Sequence, residues 1–206
     1  MLLAFALLAG VICFSWLTGS RWPRQKAKDY LAMLSSQIPG LAEFPCEASA
    51  TDYIRSLRRG FQLFSTLPVC ARGMRNGYDI EIDVVPRAPK RPLRTVVAVL
   101  YARPVVPAIY VQPNSAVVRF LNSVFIPGVD TSRPLIGPYA VFGDPKEVER
   151  VLRPEKLAVL LSFPRTLDFV RYEERAIVLQ WSRPEKDARV VEQALALATL
   201  LLPPEV

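Results

Sequence analysis

The sequence predicts an α+β protein: an N-terminal transmembrane helix, then one domain whose mainly antiparallel sheet of about five or six strands is packed by helices, including a long C-terminal one. Three observations predict it. Met1–Ser20 (MLLAFALLAGVICFSWLTGS) contains no charged side chain, and as a helix it would be about 30 Å long, the hydrocarbon thickness of a bilayer. In mid-chain, Tyr78, Ile80, Ile82 and Val84 alternate with Asp79, Glu81 and Asp83, the pattern of a strand half-buried in an antiparallel sheet. From Val190 to Leu201 the apolar positions return to helical spacing.

The chain divides as an anchor at 1–20, a basic stem helix and loop at 21–48, and an α+β domain at 49–206. The third segment is long enough to bury a core without covalent staples. No Lys or Arg precedes the apolar run, whereas Arg21, Arg24, Lys26 and Lys28 follow it directly. That asymmetry disfavours cleavage and export and favours retention of the following domain in the cytoplasm. Thr18 and Ser20 supply small residues for a signal peptidase, so a periplasmic or extracellular domain is the competing arrangement. A small residue is missing directly before Cys13, which argues against a lipoprotein site.

The stem helix follows, with Ala27, Tyr30, Leu31, Leu34 and Ile38 on one face and Pro39-Gly40 ending it. Its apolar stripe is expected to pack on its own domain rather than to recruit a partner. Residues 39–48 read as a loop. Ser49 and Asp52 are spaced as a capping box for a second helix, which carries Tyr53, Ile54, Leu57, Phe61 and Phe64 and stops at Pro68. Asn76-Gly77 signals a chain reversal ahead of the strand Tyr78–Val85. Prolines bracket the wholly basic loop Arg87–Arg91, and Thr95–Ala102, apolar on both faces, reads as the most buried strand. A short strand at Ile109–Val111 precedes a brief helix capped by Asn114 or Ser115 and running through Val118, Phe120 and Leu121.

Residues 126–138 form the longest stretch without periodicity and are the loop in which to look for a binding surface. Tyr139–Phe142 is a strand. Asp144, Pro145 and Glu147 satisfy the rules for starting the next helix, and another begins near Pro154. Leu167–Tyr172 and Ala176–Trp181 pair around Glu173-Glu174-Arg175. Ser182 and Glu185 make a capping box for the last helix, which ends at Pro203-Pro204 and should lie across the sheet.

The features from Gly60 to about Leu202 resemble a family of membrane-anchored bacterial proteins of unknown function. The likeness rests on Gly60-Phe-Gln-Leu-Phe64, the acidic strand Asp79–Asp83, and Tyr139-Ala-Val-Phe-Gly-Asp144 with its following Val-x-x-Leu helix. The closing strand pair and terminal helix complete it. The resemblance implies an α+β domain held at a bacterial inner (plasma) membrane, and transfers no activity.

Chemistry is limited by what the chain lacks. It has 26 Lys and Arg, 19 Asp and Glu, three cysteines and no histidine. Without imidazole the commonest general base and metal ligand is missing, and no nucleophile-elbow, P-loop, dinucleotide or zinc-protease motif occurs. Cys46 and Cys70 read as two buried thiols, and a disulfide between them requires a domain outside the cytoplasm. No catalytic, cofactor or metal residue is therefore expected, nor a cofactor, nor a small-molecule substrate.

Three function classes follow. The first is a non-enzymatic, single-pass membrane protein that binds a protein partner or assembles a complex at the membrane surface. The second is a module for anionic lipid or another polyanion, with candidate contacts Arg21, Arg24, Lys26, Lys28, Arg87, Lys90, Arg91 and Arg94 and further arginines at Arg55, Arg58 and Arg59. Aromatic and basic residues do not interleave as in single-strand-binding sheets, so nucleic acid is not the expected polyanion. The third is a carboxylate enzyme around Asp79, Glu81 and Asp83. One strand alone gives a cation too few directions of ligation, so these three are expected to pair with Arg94 or another base.

Overall fold

A computed structural model describes residues 25–45, 69–86, 93–102, 109–114, 135–136, 138–173 and 175–202. Among them, nine strands form one sheet: β1 (Leu41–Pro45), β2 (Val69–Arg75), β3 (Tyr78–Pro86), β4 (Leu93–Leu100), β5 (Tyr110–Pro113), β6 (Leu135–Ile136), β7 (Tyr139–Phe142), β8 (Leu167–Glu173) and β9 (Ala176–Ser182). The helices are α1 (25–37), α2 (Pro145–Val151), α3 (Pro154–Ser162) and α4 (Ala188–Leu200). The α+β class is as the patterning predicts, but the sheet exceeds the expected five or six strands.

Strand order is β1-β2-β3-β4-β9-β8-β5-β7-β6, and every ladder is antiparallel. The β8–β9 hairpin is inserted between β4 and β5, so the last strands in sequence sit at the centre. Three strands lie where no strand is expected. β1 falls in the presumed 39–48 loop, β2 precedes the Asn-Gly turn, and β6 lies inside the 126–138 stretch. β1 and β6 are short edge strands and β2 is paired on both sides, by β1 and β3; the register of each comes from a neighbour rather than from its own alternation.

Local signals that rest on turn and cap geometry are realised. Asn76 (φ 50°) and Gly77 (φ 82°) are both left-handed, which suits a two-residue hairpin loop joining β2 to β3. Gly73 is required for a different reason: a Cβ there would stand 2.2 Å from the Gly40 carbonyl oxygen. Asp144 caps α2, its Oδ1 accepting from the backbone N–H groups of Lys146 at 2.9 Å and Glu147 at 3.4 Å, with Pro145 at the first position.

α1 and α4 cover one face of the sheet. Ala27, Tyr30, Leu31 and Leu34 of α1 and Ile38 just after it are all buried, together with Ile80, Ile82 and Val84 of β3, Val97 and Val99 of β4, and Ile177, Leu179 and Trp181 of β9. Each large apolar side chain so buried contributes about 1.5–3 kcal/mol. The stripe on α1 is thus consumed by its own domain. α4 adds Val191, Ala194, Leu195 and Ala198 over β4 and β9, so it lies across the sheet as its broad apolar face predicts. Phe163 meets Trp181 edge-to-face, with ring centroids 5.8 Å apart.

On the opposite face Val96, Ala98, Ala176 and Val178 form a second buried cluster with Leu100 and Phe169 against it. β3 is therefore not half-solvated as its alternation predicts, because Glu81 and Asp83 on this face are fully buried. The last helix also starts later than expected. Ser182 belongs to β9 and donates to Asp168 across the hairpin at 3.1 Å, so it caps nothing. Asp187 is the cap instead, accepting from the Arg189 N–H at 2.9 Å.

Met1–Ser20 lies outside the described residues. Among those described, no helix is long and apolar enough to cross a membrane. The expected helix over 49–64, the brief helix at 115–121, Cys13, Cys46, the 87–91 loop and most of 126–138 also lie outside. Cys70 is buried on β2 opposite Phe44 of β1.

Candidate functional site

The three carboxylates of β3 do not act as a group. Asp79 is exposed, while Glu81 and Asp83 are buried. Glu81 accepts from Arg72 directly across the β2–β3 ladder, at 3.0 Å from Nη2 and 3.2 Å from Nε. One oxygen of Asp83 accepts from the Val84 N–H at 2.7 Å. The expected cross-strand base for this strand is thus Arg72 and not Arg94, whose Nε is 3.3 Å from Asp168 of β8. Arg94 lies beyond the reach of Glu81 because it is opposite Val85, four residues along β3. No described group of three His, Cys, Asp or Glu side chains is placed to hold a metal ion.

A more connected polar cluster lies where α1 and α4 begin. The Glu185 N–H donates to Tyr30 Oη and to Thr95 Oγ1, at 3.1 Å each. Thr95 Oγ1 donates to the Arg183 carbonyl at 2.9 Å. With that proton committed, the 3.5 Å contact between the two hydroxyls is one in which Tyr30 donates to Thr95. Protons therefore run in one direction, from the Glu185 amide through Tyr30 and Thr95 to the Arg183 carbonyl. Burial is the main influence on the Tyr30 hydroxyl and pushes it up to about 12. The Glu185 carboxylate is held by Arg165 at 2.7 and 3.2 Å and takes the Asp187 N–H at 3.2 Å. That bidentate grip explains why Glu185 is not available as the acidic member of a helix capping box.

This cluster fixes which charges share one end of the molecule. Lys26 precedes Tyr30 by one helical turn, and Arg183 and Lys186 flank Glu185. Lys26, Lys28, Arg183, Lys186 and Arg189 are exposed. α4 presents its N-terminus here, where the backbone dipole adds positive potential; Asp187 caps it, and its first turn holds no acidic residue. Across 25–30, 165 and 183–189, six bases meet three acids, Asp29, Glu185 and Asp187, for a net charge of +3.

Of the eight candidate polyanion contacts, Lys26 and Lys28 belong to this end, and Arg94 stands close by but is spent on Asp168. Arg21, Arg24, Arg87, Lys90 and Arg91 lie outside the described residues, as do Arg55, Arg58 and Arg59. Arg165, Arg183, Lys186 and Arg189 have no sequence signal linking them to the stem, because they are some 140–160 residues away along the chain.

No family model and no curated protein matches the chain. Among solved structures it is similar to the crystal structure of the mycobacterial trehalose monomycolate transport factor A, TtfA. Sequence identity is 14%, the match covers 86% of this chain and 96% of that one, and the TM-score is 0.49.

A separate feature lies on α3 and α4, which adjoin each other. Val159 and Leu161 of α3 and Leu200 of α4 are exposed aliphatic side chains. Lys156 of α3 donates to the Leu202 carbonyl at 2.8 Å and ties the two helices together.

Proposed function

We propose that this chain is a single-pass, membrane-anchored, non-enzymatic protein whose α+β domain binds a protein partner or assembles a complex at the membrane surface. The observation that carries the reading is the uncharged Met1–Ser20 stretch with a basic flank, followed within five residues by the first helix of the domain core. Such a domain works beside a bilayer, where its partners are found. Support for binding rather than catalysis comes from how polar side chains are used. Glu81 is engaged by Arg72, Asp168 by Arg94 and Glu185 by Arg165, so each acts as a fastener between elements. The exposed Leu161 of α3 offers a partner an apolar contact.

The domain faces the cytoplasm in this proposal, on the strength of the basic flank. Purification of the full chain in mild detergent tests the partner: a stoichiometric companion is expected, lost on Leu161→Asp, and a monodisperse, partner-free protein overturns the reading. A C-terminal tag tests the side: it should resist external protease in intact spheroplasts and be cut after lysis. Cleavage before lysis reverses the orientation.

A further inference from the structure

We infer that the end of the domain where α1 and α4 begin is a membrane-contact surface, seated on the anionic phospholipid headgroups of the adjacent leaflet. The inference rests on the anchor reading above and adds which face of the domain meets the lipid. The length of chain supplies the first argument. Ser20 and Gln25 are five residues apart, and five residues span at most about 18 Å even when fully extended. Gln25, the first described residue of α1, is therefore tethered close to the headgroups.

Charge complementarity supplies the second. The tether leads to the one described end at which Lys26, Lys28, Arg183, Lys186 and Arg189 are gathered by the Tyr30–Thr95–Glu185 bonds. The N-terminus of α4 reinforces their field, and Lys186 and Arg189 flank its Asp187 cap, at the end of a helix where acidic side chains are ordinarily stabilising. Bases at that position are mildly unfavourable within the domain alone and favourable against an anionic surface. Near such a surface each attraction falls off over about 8 Å at physiological salt.

The opposite end provides an internal control. β7 starts beside Leu167, whose N–H donates to Tyr139 Oη at 3.1 Å, and runs away from it to Phe142, opposite Tyr110. α2, with the exposed Lys146, begins just beyond Phe142. Lys146 therefore lies a strand's length from the basic end.

The test is amine acetylation of the full chain in nanodiscs, read residue by residue by mass spectrometry. Discs of phosphatidylcholine alone are compared with discs that also contain phosphatidylglycerol. On the anionic discs, acetylation of Lys28 and Lys186 should slow at least threefold, recover in high salt, and leave Lys146 unchanged. The double variant Lys186→Glu, Arg189→Glu should stay in the disc and lose the protection of Lys28. Equal rates on both lipids, in a chain that has entered the discs, overturn this inference and leave the anchor standing. Failure of the chain to enter discs at all overturns the anchor reading, and this inference with it.

Discussion

The directed hydrogen-bond chain at the start of α4 makes a quantitative prediction, because the Glu185 N–H has two acceptors. Tyr30→Phe removes one, and Thr95→Val removes the other. In each single variant the remaining hydroxyl oxygen still accepts from the buried amide at 3.1 Å, so each should cost about 0.5–1.5 kcal/mol, the usual net worth of a hydrogen bond. In the double variant the amide has neither acceptor and is stranded inside the protein, at an added cost of about 1–3 kcal/mol. The direct Tyr30–Thr95 bond acts in the opposite sense, since removing both of its partners costs less than the two single losses together. At 3.5 Å it is at the limit of hydrogen bonding and offsets only a few tenths of a kcal/mol. The double variant should therefore be less stable than the sum of the singles by about 1–2 kcal/mol. Urea unfolding of the full chain in detergent, followed by circular dichroism, measures all four corners of the cycle. Additive losses within about 0.5 kcal/mol, or a double variant milder than the sum, would refute the sharing of the Glu185 amide between the two hydroxyls. Thr95→Ser keeps the oxygen and should cost much less than Thr95→Val.

Three further outcomes are expected. Tyr30 and Tyr101 are both pushed up to about 12, chiefly by burial, and burial also raises Tyr172. A folded-state value raised above the unfolded value of 10.0 gives stability that is complete below that pH and lost on the way to about 12. Tyr30 should thus account for a loss of about 1.4 kcal/mol by pH 11. Urea midpoints at pH 8 and 11 would show this, with a smaller drop in Tyr30→Phe; an equal drop in both would exclude Tyr30 as a source. Gly73→Ala places a methyl 2.2 Å from the Gly40 carbonyl and should destabilise by about 1–3 kcal/mol, visible as a lower thermal midpoint. Asp144→Ala removes the α2 cap and should cost about 1 kcal/mol, whereas Asp144→Asn should be nearly neutral in the same melt.

Legibility in the sequence followed the range of the interaction concerned. Asp144-Pro145 and Asn76-Gly77 work within a few residues, so their cap and turn are readable directly. The stripe on α1 and the broad face of α4 are equally local in origin, because a helix declares its buried side by its own period. β1 and β2 are different: β2 is ordered by pairing with β3 and β1 by pairing with β2, and neither Leu41–Pro45 nor Val69–Arg75 alternates strongly enough to announce itself. The acidic side of β3 misleads for a related reason. Glu81 looks solvated in a linear pattern and is buried because Arg72 meets it across the ladder. Ser182 and Glu185 fit a cap motif that β9, Asp168 and Arg165 override.

The sequence by itself determined the apolar opening and its basic flank, the helix faces, the tight turns and the α+β class. Those depend on composition and short periods. Tertiary structure alone decided the strand order, the burial of Glu81 and Asp83, and the meeting of Lys26 and Lys28 with Arg183, Lys186 and Arg189. These depend on contacts between residues far apart in the chain, whose partners are set by closing the whole sheet around its core.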